Sequence, residues 1–326
     1  MRAVRGETDR MTIQEAADIR ALPDISTPRT VPGKGLVTRL RASETAHRLV
    51  PAPVALAGLD LAHRLAAARR PERLVASRAA MAAVVGGTPQ EADLDELALR
   101  HLCAAARGWE LSWRPWLLER LPVEGLDRYR EIEPGRGVVF SSPHYGPPLG
   151  LLTLSRAVGT IDTAVGEHMA AADVPAGYNG HQIEQLRRVM LRSGYRPVRA
   201  ASSAREFTRT LRGGGRVLLS FDVPGTVPVQ FLGKTVELKN GAARLAEHTD
   251  SVIVPTLALP RGRGWYVHLD DPIDPRRFPS WRELLQAVAD VQTRLVQRAP
   301  EHLESPLRAG GWATATATRW SARAAR

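Results

Sequence analysis

The sequence predicts an α/β fold, with a mostly parallel central sheet flanked by helices and a helical N-terminal part. Two observations carry this. Five short runs with strand character, at 138–141, 161–165, 216–221, 252–259 and 265–269, are rich in Val, Ile, Leu and aromatic residues. Between most of them lie stretches with helical spacing of apolar residues, at 149–157, 182–193, 204–211 and 241–248. Strands alternating with helices form βαβ units, and such units build parallel sheets covered on both faces.

Taken in order, residues 1–45 mix charges, Thr, Pro and Gly without sustained periodicity and are expected to be a flexible lead-in. A single domain is expected over 46–312, followed by a basic tail over 313–326. From 46 to 120 the pattern is helical. Leu56, Leu59, Leu61, Leu65 and Ala66 form an apolar mixture ending in Arg64, Arg69 and Arg70. Asp93, Asp95 and Glu96 sit where a helix N-terminus favours negative charge. Trp109, Trp113 and Trp116 fall at i, i+4 and i+7, one helical face, which reads as core sooner than as a groove for an acyl chain. Pro115 is placed to kink or end that helix. Residues 281–298 read as a closing amphipathic helix, and no internal repeat is present.

Apolar residues make up 44% of the chain, enough for a substantial core and against global disorder. The net charge of +11 favours polyanionic partners: an anionic membrane surface, nucleic acid, an acidic carrier protein or a phosphorylated co-substrate. The charge is spread as pairs such as Arg69-Arg70, Arg187-Arg188 and Arg276-Arg277, so most of it reads as solvated surface. One cysteine, Cys103, excludes an internal disulfide and a multi-cysteine zinc site, and fits a reducing compartment. Its apolar helical setting marks it as an inert core thiol. No apolar segment near Met1 resembles a secretory signal. The longest apolar stretch, 49–61, holds two prolines and Asp60 and is shorter than the ~20 residues a spanning helix needs. A cytoplasmic protein is expected, with any membrane contact peripheral, at the inner face.

The segment Ser141-Ser142-Pro143-His144-Tyr145-Gly146-Pro147-Pro148 follows a buried-strand pattern and precedes an apolar helix start at Leu149. It delivers His144 to the carboxyl end of a strand, where open α/β sheets keep their sites. His144 is either a proton acceptor or a turn histidine held by a backbone carbonyl. Asp222 ends another strand and reaches the same rim, either to orient the His144 ring or to cap turn amides. Glu167 and His168 follow a third strand, as a second acid–base pair or a solvated turn. His248 and His268 read as structural, and the histidine spacing gives no metal-ligand pattern. Gly213-Gly214-Gly215 precedes a strand and so reads as a turn, not a phosphate cradle.

Three blocks, in this order, resemble the lysophospholipid acyltransferase superfamily. The branch they most resemble holds the bacterial lipid A (lauroyl/myristoyl) and phosphatidylinositol mannoside acyltransferases. The first block runs from Pro134 through Val138-Val139-Phe140 to His144-Tyr145-Gly146. The second is Leu211-Arg212-Gly213-Gly214-Gly215 with Val217 to Asp222. The third is Val229-Gln230-Phe231-Leu232-Gly233-Lys234, then Gly241-Ala242-Ala243-Arg244-Leu245-Ala246 and Val254-Pro255. The resemblance extends over roughly 46–303. It implies a glycerolipid acyltransferase-like fold and transfer of an acyl group from a thioester, on coenzyme A or acyl carrier protein, to a hydroxyl or amine. His144 would be the general base, with Asp222 or Glu167 as its acid partner. Backbone amides near Gly146 or Gly233 would face the oxyanion. Tyr145, Gly146, His168, Arg192, Phe231 and Gly233 would contact substrate. No metal and no cofactor beyond the thioester co-substrate is implied, and no covalent intermediate.

The sequence departs from the family pattern twice. Leu149 stands five positions after His144, where the family carries Asp or Glu. Glu167 stands where relatives commonly carry an Arg suited to an anionic headgroup, which points away from a phospholipid acceptor. Two alternatives accompany this reading. One is a transferase that takes its group from aminoacyl-tRNA to a small amine in a biosynthetic pathway. The other is a non-catalytic relic that binds lipid or membrane.

Overall fold

The structure, a computed structural model, describes residues 43–165, 169, 178–199 and 202–304. Most of the expected lead-in and the whole of the expected 313–326 tail lie outside them. The chain begins with helices α1 (Glu44–Leu49), α2 (Ala52–Arg69), α3 (Pro71–Val85) and α4 (Leu94–Ser112). Then come β1 (Val123–Glu124), α5 (Leu126–Arg130), β2 (Val138–Ser142), α6 (Leu152–Val158) and β3 (Ile161–Val165). The alternation continues with α7 (Tyr178–Arg192), β4 (Tyr195–Arg199), α8 (Ser203–Arg212) and β5 (Arg216–Ser220). A hairpin of β6 (Pro224–Phe231) and β7 (Lys234–Leu238) precedes α9 (Gly241–Thr249), β8 (Val252–Arg261), β9 (Gly264–Leu269) and α10 (Trp281–Val296).

Seven strands form one sheet in the order β1-β9-β8-β2-β5-β3-β4, and β6 and β7 form a separate two-stranded ribbon. Every pairing in the large sheet is parallel except the β8–β9 hairpin. The α/β, mostly parallel fold is therefore as the sequence predicts. β2 is central, and all five of its residues are buried. Its side chains alternate between two cores, as a strand's pleat requires. Val139 joins Val217, Ile253, Phe207, Ala243 and Val288 on one face, while Val138 and Phe140 join Leu149, Leu154, Ile161 and Val189 on the other.

α10 ties the first face to the site. Ser280 caps its start by accepting from the Glu283 amide. Further along, the fully buried Gln292 donates from Nε2 to the Ser141 carbonyl at 2.7 Å. The strand end that carries the His144 turn is thus held from behind.

Several sequence expectations shift. The helix after the His144 turn starts at Leu152, not Leu149, because Pro147, Pro148 and Gly150 keep the chain in turns. The tryptophan trio is not one helical face. α4 stops at Ser112, three residues before Pro115. Beyond it, the buried Trp113 stacks on His47, and Arg48 lies over the Trp116 ring. Cys103 is buried in α4 and its thiol pKa is pushed up, chiefly by burial, as an inert core thiol requires. Gly213-Gly214-Gly215 is a turn, with Gly214 at φ +72.

Candidate active site

Strands β2 and β5 run parallel with Ser142 opposite Ser220. The two chains keep that offset for two more residues, so His144 and Asp222 meet just past the carboxyl ends of their strands. The Asp222 side chain is fully buried, whereas the His144 side chain is 51% exposed. One carboxylate oxygen of Asp222 accepts from His144 Nδ1 at 2.8 Å, and the other accepts from the His144 backbone amide at 2.8 Å. A carboxylate only accepts, so Nδ1 carries the hydrogen and the lone pair of the neutral ring is at Nε2. Nε2 faces the Ser220 hydroxyl at 3.5 Å.

This setting raises the imidazole pKa from 6.5 to about 9. The largest cause is attraction to the Asp222 charge; burial opposes it, and the Asp222 hydrogen bond and the more distant Glu304 charge assist. Glu304 is itself pushed up by burial, against the pull of His144.

The turn is clamped on its other side by the chain's last described residues. The Glu304 amide donates to the His144 carbonyl at 2.9 Å, and the Gly146 amide donates to the His302 carbonyl at 2.8 Å. Between them Tyr145 bridges Leu303, and the Tyr145 hydroxyl donates to the Ala299 carbonyl at 2.7 Å. His302, whose pKa burial lowers to about 4, packs edge-on against Trp265 at 4.7 Å. A small open cleft lies between α4 and this strap, lined by Gly108, Trp109, Gly146, Pro148, His302 and Glu304 among others.

The remaining sequence candidates fall elsewhere. Tyr145 and Gly146 adjoin His144, but Tyr145 is buried against the strap and the Gly146 amide is already bonded to His302. Gly146 is therefore not an oxyanion donor here; its φ of +69 and the Trp265 ring, which would lie 2.9 Å from a Cβ at this position, explain why glycine occupies it. Phe231 does not line the site. It is buried in the core, edge-on to Phe221 at 5.2 Å, and so backs the strand end bearing Asp222. Gly233 is the second residue of the β6–β7 turn, where Leu232 (φ 52) and Gly233 (φ 72) both take the left-handed form that a two-residue hairpin needs. That turn packs on α10, with the Leu232 amide donating to Thr293 Oγ1 at 3.1 Å.

Arg192 is a further correction. It ends α7 just before β4 begins, at the edge where strands start, opposite the His144 rim, and it pairs with Glu44 and Glu119. Glu167 and His168 lie outside the described residues. Leu149, five positions after His144, is 3% exposed and belongs to the core beside Leu152 and Leu154. His248 meets Arg212 at 2.9 Å and His268 meets Asp270 at 3.3 Å, so each bonds to a partner other than His144 and Asp222. Among the described residues no group of three or more His, Cys, Asp or Glu is placed to hold a metal ion. Sequence reasoning missed Ser220 and the 299–304 strap. Ser220 was findable, because it is the last residue of β5 and so reaches the same rim as Asp222, two residues on.

No family model matches the chain, and no curated protein matches it. Among solved structures it is similar to the crystal structure of the 1-acyl-sn-glycerophosphate (LPA) acyltransferase, PlsC, from Thermotoga maritima. That similarity has a TM-score of 0.37 at 16% identity, over 76% of this chain and 97% of that one.

Proposed function

We propose that the protein is an acyltransferase that moves an acyl group from a thioester, on coenzyme A or acyl carrier protein, to a hydroxyl or amine. The observation that carries this is the clamped His144: a buried carboxylate fixes Nδ1 and leaves Nε2 on the open side of a half-exposed ring. In the neutral form Nε2 takes the proton of the attacking group as it adds to the thioester carbonyl. The ring then returns that proton to the departing thiolate. Asp222 replaces the acid that the family places at the Leu149 position and stabilises the imidazolium during the step. The three resembling sequence blocks support the thioester chemistry.

The acceptor in this reading is a small or non-phospholipid molecule, supported by Glu167 in place of a headgroup-binding Arg. Peripheral membrane association is part of the proposal. Val54, Leu61 and Leu65, at i, i+7 and i+11 on α2, expose one apolar face with Arg64 and Arg69 nearby. No helix among the described residues is long and apolar enough to cross a membrane.

Thiol release from acyl coenzyme A and acyl carrier protein tests the proposal. The wild type should release thiol in the presence of an acceptor, and His144→Ala should not; equal release by both overturns it. The net charge of +11 supports a second donor, aminoacyl-tRNA. Nucleic acid retained on purification and released by salt would favour that donor.

A further inference from the structure

We infer that Ser220 is the group first acylated, so that transfer passes through an acyl-serine enzyme. This rests on the acyl-transfer reading and changes its order of steps. Three side chains stand in line: the Ser220 hydroxyl 3.5 Å from His144 Nε2, His144 Nδ1 2.8 Å from Asp222, and Asp222 buried behind them. This is the nucleophile, base and orienting acid of serine acyl transfer, a set defined by geometry and roles, not by order along the chain. The strand end and its turn supply the arrangement. Ser220 ends β5 and Asp222 stands two residues on in the following turn, and the β2–β5 register brings the His144 ring to both, Nε2 to Ser220 and Nδ1 to Asp222. The exposures are graded as the chemistry needs: Ser220 exposed, His144 half-exposed, Asp222 buried. The 3.5 Å separation is long for a hydrogen bond, as nucleophile–base pairs without substrate often are. Nδ1 and the His144 backbone amide are both taken by Asp222, and the hydroxyl placed at Nε2 is that of Ser220.

The steps balance. His144 Nε2 takes the Ser220 proton as Oγ adds to the thioester carbonyl. The C–S bond breaks, an ester forms at Oγ, and the proton goes to the leaving thiolate. The acceptor hydroxyl or amine then gives its proton to Nε2 and attacks the ester carbonyl. The C–Oγ bond breaks and Oγ regains the proton. Two half-reactions replace one direct transfer.

The test uses the full chain and two probes that do not depend on knowing the donor or acceptor. The wild type is treated with a fluorophosphonate, and separately with p-nitrophenyl butyrate, across pH 6–10, and adducts are located by peptide mass spectrometry. The expected result is one adduct on Ser220 that forms faster as pH rises and is lost in Ser220→Ala and His144→Ala. Ser220→Cys supplies a second variant. A thiol placed beside His144 should react with iodoacetamide well before the buried Cys103 does and retain that reactivity at neutral pH. Ser220→Ala should also lower thioester turnover about 100-fold or more. An unlabelled wild type, labelling unchanged in Ser220→Ala, or full turnover by that variant overturns the inference. Full turnover by Ser220→Ala with none by His144→Ala leaves direct transfer standing, whereas full turnover by both removes the acyltransferase reading with it.

Discussion

Replacing Asp222 with Asn probes the site where its two tasks can be separated. Asp222 offers two acceptor oxygens to two donors, the His144 amide and Nδ1–H, each at 2.8 Å. Asn has one acceptor oxygen and a donating NH2, so one of those donors loses its partner. If the backbone amide keeps the oxygen, the NH2 donates to Nδ1, the ring hydrogen moves to Nε2, and the base faces the wrong way. Loss of the carboxylate also removes the largest cause of the raised His144 pKa, so the ring should titrate near or below 6.5 instead of about 9. At pH 7 a ring with a pKa of about 9 is roughly 1% neutral, so wild-type kcat/KM should climb tenfold per pH unit and level off near pH 9. In Asp222→Asn that limb should move down by about two pH units, with kcat/KM on the wild-type plateau reduced roughly 100- to 10,000-fold. Thiol release followed from pH 6 to 10 gives both numbers. A limb that stays near pH 9, or a loss under threefold, would refute the reasoning.

Stability carries the same signature. A raised pKa in the folded state stabilises fully below the unfolded value of 6.5 and loses that contribution as pH rises through about 9. Melting temperature should therefore fall between pH 7 and 10 more steeply in the wild type than in Asp222→Asn, by differential scanning fluorimetry. Leu149→Asp, which puts an acid five positions after His144 as in the acyltransferases the sequence resembles, should not give His144 a second partner. It places an unpaired charge at a position 3% exposed and should cost about 3 kcal/mol or more in chemical denaturation. Tyr145→Phe deletes the hydroxyl that donates to the Ala299 carbonyl and should cost about 1 kcal/mol while loosening the His144 turn, read as a lower kcat with KM unchanged. The double change Leu61→Glu and Leu65→Glu should cut sedimentation with anionic vesicles about tenfold or more, leaving thermal stability within a degree or two of wild type.

The central strands were legible because each is a short apolar run buried on both faces: β2 and β3 are the clearest examples. β4 was not, since Arg196 and Pro197 interrupt it; its place at the sheet's edge is what lets it carry a proline. The β6–β7 ribbon was hidden by Pro224, Gly225 and Pro228, and its turn residue Gly233 stands among the substrate contacts that the sequence resemblance implies. The meeting of His144 with Asp222 was legible because parallel strands deliver their ends to one rim. The strap was not, because it contacts the His144 turn through backbone groups 156 to 160 positions away, which leave no side-chain pattern.

The central claim is that Asp222 holds the His144 imidazole with its hydrogen on Nδ1 and raises its basicity. Nitrogen NMR of the protein labelled at histidine, with His144 assigned by comparison with His144→Ala, measures both properties in one titration. The account predicts that the neutral ring is the Nδ1–H tautomer and that it titrates near pH 9. A ring found as the Nε2–H tautomer, or titrating at or below 6.5, would contradict it.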